Sequence, residues 1–413
     1  MIGRALMALV LVVPSVCPQA SGEEKANELN EQGVALYEQK NYGKAVSVFE
    51  EAGRLDPKNE TIPKNLARAL HGRAHGHRKT GQLDAAEDDL DRAIALDGTE
   101  PAFNAMLADL HVHRRESSKA RLTLEKALEK HPESADLFES LGRLEYYEEF
   151  LKQALECLET AARLDPSRGD AAAFKRFMEK VRREVKVEGE FFRDARGQFT
   201  VKYDDKGSRE VGTAALDLLE ASYNRMSADF RRWPKDRLTV VLYTRDEYSA
   251  ATGAHAWTGG LFDGKIRIPV RNWRSAPAEI RKTLDHELAH WFIRKLNRRI
   301  PTWLNEGMAQ LQEGKKPGGV THSCIKGAVN SGRYEPVGKL PLSWASIKER
   351  DRVSLYYAQA LHFTDFLVRR YGWSALAGML EGWAPGQSFT EAFNKALSAE
   401  LGLLEQDWLR RVR

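Results

Sequence analysis

The sequence predicts a multidomain protein: an all-α solenoid of helical repeats followed by an α+β domain. Three observations predict it. Small residues recur every 34 residues through the first half. All nine tryptophans lie at or after Trp233. Charge divides too: residues 23–186 carry 27 Lys/Arg and 32 Asp/Glu, a net of −5, and residues 187–413 carry 35 and 27, a net of +8. At about 150 residues per domain, a chain of 413 residues has room for two to three domains. Hydrophobic residues make up 42% and charged residues 30%, which excludes a disordered chain. The net charge of +4, with no basic tract, excludes a nucleic-acid partner.

The amino terminus is a third piece. Arg4 precedes an apolar run from Ala5 to Val13, and Ala20-Ser21-Gly22 suits cleavage before Glu23. Residues 1–22 therefore read as a secretory signal peptide. The run is too short to span a membrane stably, so no stable span is expected after cleavage. The expected location is periplasmic or extracellular. Cys17 suits a lipoprotein site poorly, with Val16 before it and Pro18 after it. Cleavage leaves Cys157 and Cys324, one in each half, so no disulfide framework is expected.

Residues 23–186 form the repeat region. Gly33, Ala45, Phe49, Ala52 and Pro57 set a spacing that Ala108, Ala120, Leu124, Ala127 and Pro132 repeat. Gly142, Ala154, Leu158, Ala161 and Pro166 repeat it again. A further unit fits Ala74, Ala86, Leu90 and Ala93, with Gly98 at the proline position. It starts seven residues late, and two extra helical turns near His71–His77 absorb the difference. Small residues let paired helices approach, a bulky one fills the groove, and the proline helps end the second helix. The pattern resembles the tetratricopeptide repeat, in four copies over residues 26–168. A capping helix is expected from Ala171 to Lys186, with Phe174, Met178 and Val181 on one face. Such repeats present a concave surface to protein segments. His71 and His75 are four apart, but on a polar helix they read as ordinary surface residues rather than metal ligands.

Residues 187–413 form the second region. Gln198–Tyr203, Leu238–Tyr243 and Lys265–Val270 read as strands. Pro269 marks the last of these as an edge strand. Residues 208–230 read as an amphipathic helix, and Trp257–Gly264 as a glycine-rich turn.

The chemistry sits in His286-Glu287-Leu288-Ala289-His290. Ser275 can cap the helix that holds it, and Pro277 fits its first turn. Ile280, Leu284, Leu288, Phe292 and Leu296 supply its apolar stripe. Histidines four apart share a face and can reach one metal ion, and Glu287 is offset to serve as general base. After Asn297 a second helix is expected, capped by Thr302, running through Gln312 and stopped by Gly314. It would return Glu306 to the same ion as third ligand.

His286, Glu287, His290 and Glu306 together resemble the gluzincin metallopeptidases, with a zincin-like α+β fold. Trp303-Leu304-Asn305-Glu306-Gly307 resembles the Peptidase MA-like group among them. So do the later stretches Tyr356-Tyr357-Ala358-Gln359-Ala360, Tyr371-Gly372, Phe389–Phe393 and Trp408. The resemblance implies Zn2+ held by His286, His290 and Glu306, with Glu287 as base and proton shuttle. It also implies an extended substrate pairing with the Lys265–Val270 edge. Tyr357 is the candidate donor to the oxyanion, with Tyr356 as its rival. The chain departs from the aminopeptidase branch, because Trp257-Thr258-Gly259-Gly260-Leu261 has no acidic group for a substrate amine. Where thermolysin-like members place an Asp behind a ligand histidine, this chain has Gln310, whose amide oxygen could accept the imidazole N–H less strongly than a carboxylate, with another group as the alternative.

The sequence therefore reads as an exported zinc metallopeptidase cutting internal peptide bonds, with a protein partner on the concave face of its repeats. The alternatives are a catalytically silent peptidase-fold binding protein and a repeat adaptor for a protein complex.

Overall fold

The computed structural model describes residues 22–204, 209–253, 260–270, 276–341, 343–344, 347 and 349–412. The expected signal segment up to Ser21, the Ser275 cap, His255 and residues 257–259 of the expected turn lie outside these residues. The chain divides into two compact units between Val181 and Arg182.

In the first unit helices pair in sequence. α1 (Gly22–Glu38) packs on α2 (Tyr42–Leu55), and α3 (Thr61–Lys79) on α4 (Leu83–Leu96). α5 (Pro101–His113) packs on α6 (Ser117–Lys130), and α7 (Ala135–Tyr147) on α8 (Leu151–Leu164). The small residues do what their spacing requires. Ala45, Ala74, Ala86, Ala108, Ala120 and Ala154 are fully buried. A Cβ on Gly33 would lie 2.5 Å from the Phe49 ring, and one on Gly142 would lie 2.9 Å from Leu158. The second helices end at Leu55, Leu96, Lys130 and Leu164, each two residues before Pro57, Gly98, Pro132 or Pro166. α3 has 19 residues against 13 in α5 and α7, so the late start of the second repeat is taken up as extra helix. A short helix α9 (Pro166–Asp170) leads into α10 (Ala172–Glu188).

One feature of these turns was not foreseen. Each repeat folds its two helices together through a residue with positive φ: Lys40 at 59°, Gly81 at 79°, Arg115 at 64° and Glu149 at 68°. Only the second repeat uses glycine, the residue that adopts this conformation without steric cost. Lys40 is exposed. Replacing it with glycine relieves the strain but adds freedom to the unfolded chain. The expected net effect of Lys40→Gly is a gain of roughly 0.5 kcal/mol in the stability of the first repeat. Amide hydrogen exchange in α1 and α2 should slow about twofold; faster exchange would show that the lysine conformation carries no strain.

The second unit is built on a five-stranded sheet, ordered β1 (Phe192–Arg196), β2 (Phe199–Tyr203), β3 (Leu238–Tyr243), β5 (Ile266–Pro269) and β4 (Leu261–Phe262). β2, β3 and β5 run parallel, and β1 and β4 are antiparallel edges. Two expectations need correction. Lys265–Val270 is not an edge strand, because β4 pairs with it through Leu261↔Arg267 and Phe262↔Ile266. Pro269 is tolerated because it ends the strand. Val270 N–H donates to the Tyr243 carbonyl at 2.7 Å, so alternation turns the Pro269 nitrogen away from β3, past the end of β4. The edge nearest the chemistry is therefore β4, within the stretch expected to be only a turn. β1 escaped notice because its side chains are mostly exposed and show no alternation.

α11 (Arg209–Phe230) and α13 (Ala276–Leu296) cover one face of the sheet and share a core with Val201, Val240, Leu242, Ile266 and Ile268. α12 (Arg245–Thr252) lies on the other side, where Val241, Tyr243 and Tyr248 pack together. That side also buries an ion network. Glu184 and Glu188, on the last turns of α10, bind Arg267 at 2.7 and 2.9 Å. Glu184 also binds Lys265 at 3.0 Å, and Glu188 binds Lys202 at 2.7 Å and accepts from Tyr243 Oη at 2.5 Å. Burial pushes the Glu188 carboxyl up, but Lys202, Lys265 and Arg267 outweigh it and hold it below the usual range. The remaining helices are α14 (Thr302–Gln312), α15 (Gly319–Asn330), α16 (Arg350–Tyr371), α17 (Trp373–Glu381), α18 (Phe389–Leu397) and α19 (Leu401–Val412). Among the described residues no helix is long and apolar enough to cross a membrane.

Candidate metal centre

α13 is held by its expected stripe: Ile280, Leu284, Leu288, Phe292 and Leu296 are all buried. This fixes the rotation of the helix and sets His286 and His290 one turn apart on its other side. The chain then turns at Asn297, whose amide donates to the Leu380 carbonyl at 3.0 Å. α14 starts at Thr302, with Pro301 rather than Thr302 at the capping position and no side-chain cap there. Its end is as expected, with Gly314 at a φ of 88° and Lys315 N–H donating to the Gln310 carbonyl.

α14 brings Glu306 to the two imidazoles. Ligand-type atoms of His286, His290 and Glu306 all lie within 4.8 Å of one another, and no other such group of three occurs among the described residues. His286 Nε2 is 3.6 Å and His290 Nε2 3.7 Å from the Glu306 carboxylate, and the two Nε2 atoms are 3.2 Å apart. The other ring nitrogens are engaged. His286 Nδ1 donates to Glu313 at 2.9 Å, and His290 Nδ1 donates to Asn305 Oδ1 at 3.0 Å. In the neutral imidazole form that a metal ligand requires, protons on Nδ1 would leave both Nε2 lone pairs towards the carboxylate. Two nitrogens and one oxygen converging in this way fit a divalent ion of the zinc type.

Glu313 and Asn305 were not anticipated. Gln310 does not orient a histidine; its amide donates to the Tyr357 carbonyl at 3.1 Å. A signal for Glu313 was present, since it follows Glu306 by seven residues, two turns along the same face. Asn305 lies in the stretch already singled out, beside Glu306.

The second glutamate of the motif is buried. Glu287 is 7% exposed, and a Cβ on Gly260, just before β4, would come within 3.0 Å of its carboxyl oxygen. Glycine at 260 therefore lets the backbone leading into β4 close over Glu287. Burial, with the charges of Glu306 and Glu313, pushes the Glu287 carboxyl up to about 7 against the pull of His286.

The two tyrosines separate. Tyr356 is fully buried; its hydroxyl donates to Glu335 at 2.7 Å and accepts from Arg352 at 2.6 Å. The hydroxyl of Tyr356, the rival oxyanion candidate, is thus engaged by Glu335 and Arg352. Tyr357 is 37% exposed, and its ring meets Trp344 edge-on at 5.0 Å. Burial, then the charges of Glu306 and Glu287, push its hydroxyl up to about 12, so it stays protonated beside the site. Elsewhere, His362 accepts from Trp408 Nε1 at 2.9 Å and sits 5.8 Å from the His322 ring.

His286 carries a pH signature. Burial lowers its basicity, but Glu306, Glu313 and Glu287 raise it to about 9. A histidine raised in the folded state binds its proton more tightly than in the unfolded chain. The resulting stability is full below about 6.5 and is lost as pH rises towards 9. Glu287, raised to about 7, acts in the same direction at lower pH. Tryptophan fluorescence reports this unit alone, since every tryptophan lies at or after Trp233. In chelator-treated protein the urea midpoint by fluorescence should fall from pH 7 to pH 9, and Glu313→Gln should flatten the fall. An equal slope in both proteins would remove Glu313 as the partner of His286.

Comparison with known proteins agrees with this division. Residues 235–413 match the Peptidase MA superfamily, and residues 26–59 and 77–144 match tetratricopeptide repeats. The protein thus carries tetratricopeptide repeats and a peptidase-like domain of the Peptidase MA superfamily. No curated protein matches the chain. Similar solved structures include PilF from Pseudomonas aeruginosa, at 18% identity over 40% of this chain and 73% of that one, with a TM-score of 0.31. MamA from Desulfovibrio magneticus RS-1 matches at 17% identity over 39% of this chain and 97% of that one, with a TM-score of 0.28. A tetratricopeptide repeat protein from Parabacteroides merdae matches at 12% identity over 81% of this chain and 99% of that one, with a TM-score of 0.33.

Proposed function

We propose that this protein is a zinc metallopeptidase that hydrolyses internal peptide bonds, with repeats that dock a protein, acting outside the cytoplasm. The observation that carries the reading is the convergence of two imidazole Nε2 atoms and the Glu306 carboxylate beside the buried Glu287 carboxyl. His286, His290 and Glu306 would hold the ion, whose Lewis acidity would polarise a peptide carbonyl. The chain's own residues supply the rest. Glu313 and Asn305 orient the imidazoles. Glu287, shielded by the Gly260 backbone, takes a proton from the attacking water and returns one to the leaving amine. The Tyr357 hydroxyl donates to the developing oxyanion, and Gln310 and Trp344 position it. The absence of a carboxylate in Trp257–Leu261 favours internal bonds over amino-terminal ones. The extracytoplasmic location rests on residues 1–22 of the sequence.

Two measurements test this reading. Purified protein should hold about one zinc per chain, as one three-ligand site binds one ion. Glu287→Gln should keep the zinc and lose on the order of 10²–10⁴-fold of peptide cleavage. Equal cleavage by both forms, or protein without zinc, would sink the proposal. Tyr357→Phe should lower kcat by about 10²–10³ with KM little changed, the loss of one oxyanion donor. Tyr356→Phe should leave kcat alone and lower stability. A reversed result would exchange the two roles.

A further inference from the structure

We infer that Arg267 is a positioning residue for peptide hydrolysis: through Asp263 and the end of α10 it holds β4 and the Gly260 backbone over Glu287. The inference rests on the metallopeptidase reading. β4 has two residues and two register partners, Leu261↔Arg267 and Phe262↔Ile266. A hairpin that short is marginal by itself, yet it is the outer strand of the sheet beside Glu287. Its side chains alternate. Phe262 packs on the α11–α13 side, with the Arg294 guanidinium of α13 5.3 Å from its ring centroid. Leu261 faces the other side, with Val241, Tyr243 and Tyr248. Both are only half-buried, so apolar contact grips the strand incompletely.

Arg267 supplies a firmer hold. It is 1% exposed, and every nitrogen of its fork donates. Nε reaches Asp263 Oδ1 at 3.2 Å, and Nη2 reaches Glu184 Oε1 at 2.7 Å. Nη1 reaches Glu188 Oε1 at 2.9 Å and Tyr243 Oη at 2.5 Å. Asp263 belongs to the β4–β5 turn, where Gly264 adopts a φ of 115°. The two glutamates belong to α10. Lys265, in the same turn, adds a second tie to Glu184 at 3.0 Å. A guanidinium is planar with fixed donor directions, so it sets orientation as well as separation. Apolar groups of the same volume would serve stability as well. What the ionic clamp adds is a defined place for the hairpin.

That placement reaches the site through one residue. Gly260 directly precedes β4, and a Cβ there would lie 2.6 Å from Thr283 Cγ2 and 3.0 Å from Glu287 Oε1. The backbone at 260 is therefore in close contact with the general base. An outward shift of the hairpin would uncover Glu287 to water and carry a substrate laid along β4 away from it. A misplacement of about 1 Å can cost on the order of 10²-fold in rate.

The test uses the full chain. Asp263 is exposed at the turn, so replacing it leaves the core filled. Asp263→Ala should lower kcat/KM for a long internally quenched peptide by roughly tenfold or more. Zinc content and the urea midpoint by tryptophan fluorescence should change little, and amide exchange at Leu261 and Phe262 should quicken. Asp263→Asn should restore the rate, because its amide oxygen still accepts from Arg267 Nε. Glu184→Gln, on the other side of the same guanidinium, should lower kcat/KM too. Combined with Asp263→Ala it should cost less than the product of the two single losses, since both act through Arg267. Unaltered kinetics in Asp263→Ala overturn the inference, and so do fully multiplicative losses in the double variant. A loss of rate that follows the urea midpoint and that Asn does not rescue makes Asp263 a stability residue and overturns it as well. If the unaltered protein holds zinc but cuts no peptide, the proposed activity falls and amide exchange judges the clamp alone. Unchanged exchange at Leu261 and Phe262 in Asp263→Ala then overturns it.

Discussion

The close approach of α14 to α16 at Gly307 governs the candidate site. A Cβ there would collide with Thr364 Oγ1 and the Ala360 carbonyl, so the two helices meet backbone to side chain. Glu306, the third ligand candidate, is the residue before this contact. Gln310, one turn on, reaches across to the Tyr357 carbonyl of α16. Where α14 lies therefore decides both the carboxylate of the metal group and the seat of the tyrosine. Arg225 reinforces the arrangement from α11, bonding Asp285 on α13 at 3.0 Å and the Gln312 carbonyl at the end of α14 at 3.2 Å. Packing density leaves little room to move either helix alone.

Much of this was legible because it was periodic. The repeat helices announce themselves through small residues that touch, and the α13 stripe through a pure apolar face. β2, β3 and β5 were visible because buried strands need β-branched and aromatic residues. The three ligand candidates and Glu287 were visible because two histidines four apart, followed by a glutamate on a second helix, limit the geometry strongly. What escaped depended on tertiary position. β1 has exposed side chains and no pattern. β4 has two residues and exists only by pairing with β5. The choice between Tyr356 and Tyr357 turns on which side of α16 faces solvent, and a one-residue offset decides it. Behind the ligand histidine the choice lay open between Gln310 and another group, and it is Glu313, at the cap of α14, that reaches His286.

The two sides of the sheet are stabilised differently. Towards α11 and α13 the interior is apolar, and shape sets the register. Towards α10 it is ionic: three cations from β2 and the β5 segment meet two carboxylates, all nearly inaccessible to water. Such networks add little net stability over an apolar packing, but removing one member is costly. Their effect is selective, since a slip of one residue in β2 or β5 would bury a charge with no partner.

The same network says something about how the halves of this chain can be exchanged. Composition changes at about residue 187, and a cut there looks clean. It would remove Glu184, the shared counter-ion of Lys265 and Arg267, and fray the turn that carries Glu188. The peptidase-like half would then start life with its three buried cations and one buried carboxylate fewer to answer them. The modular seam lies upstream, so any ancestral or engineered graft of a different repeat array must keep the last two turns of α10 as the property of its neighbour.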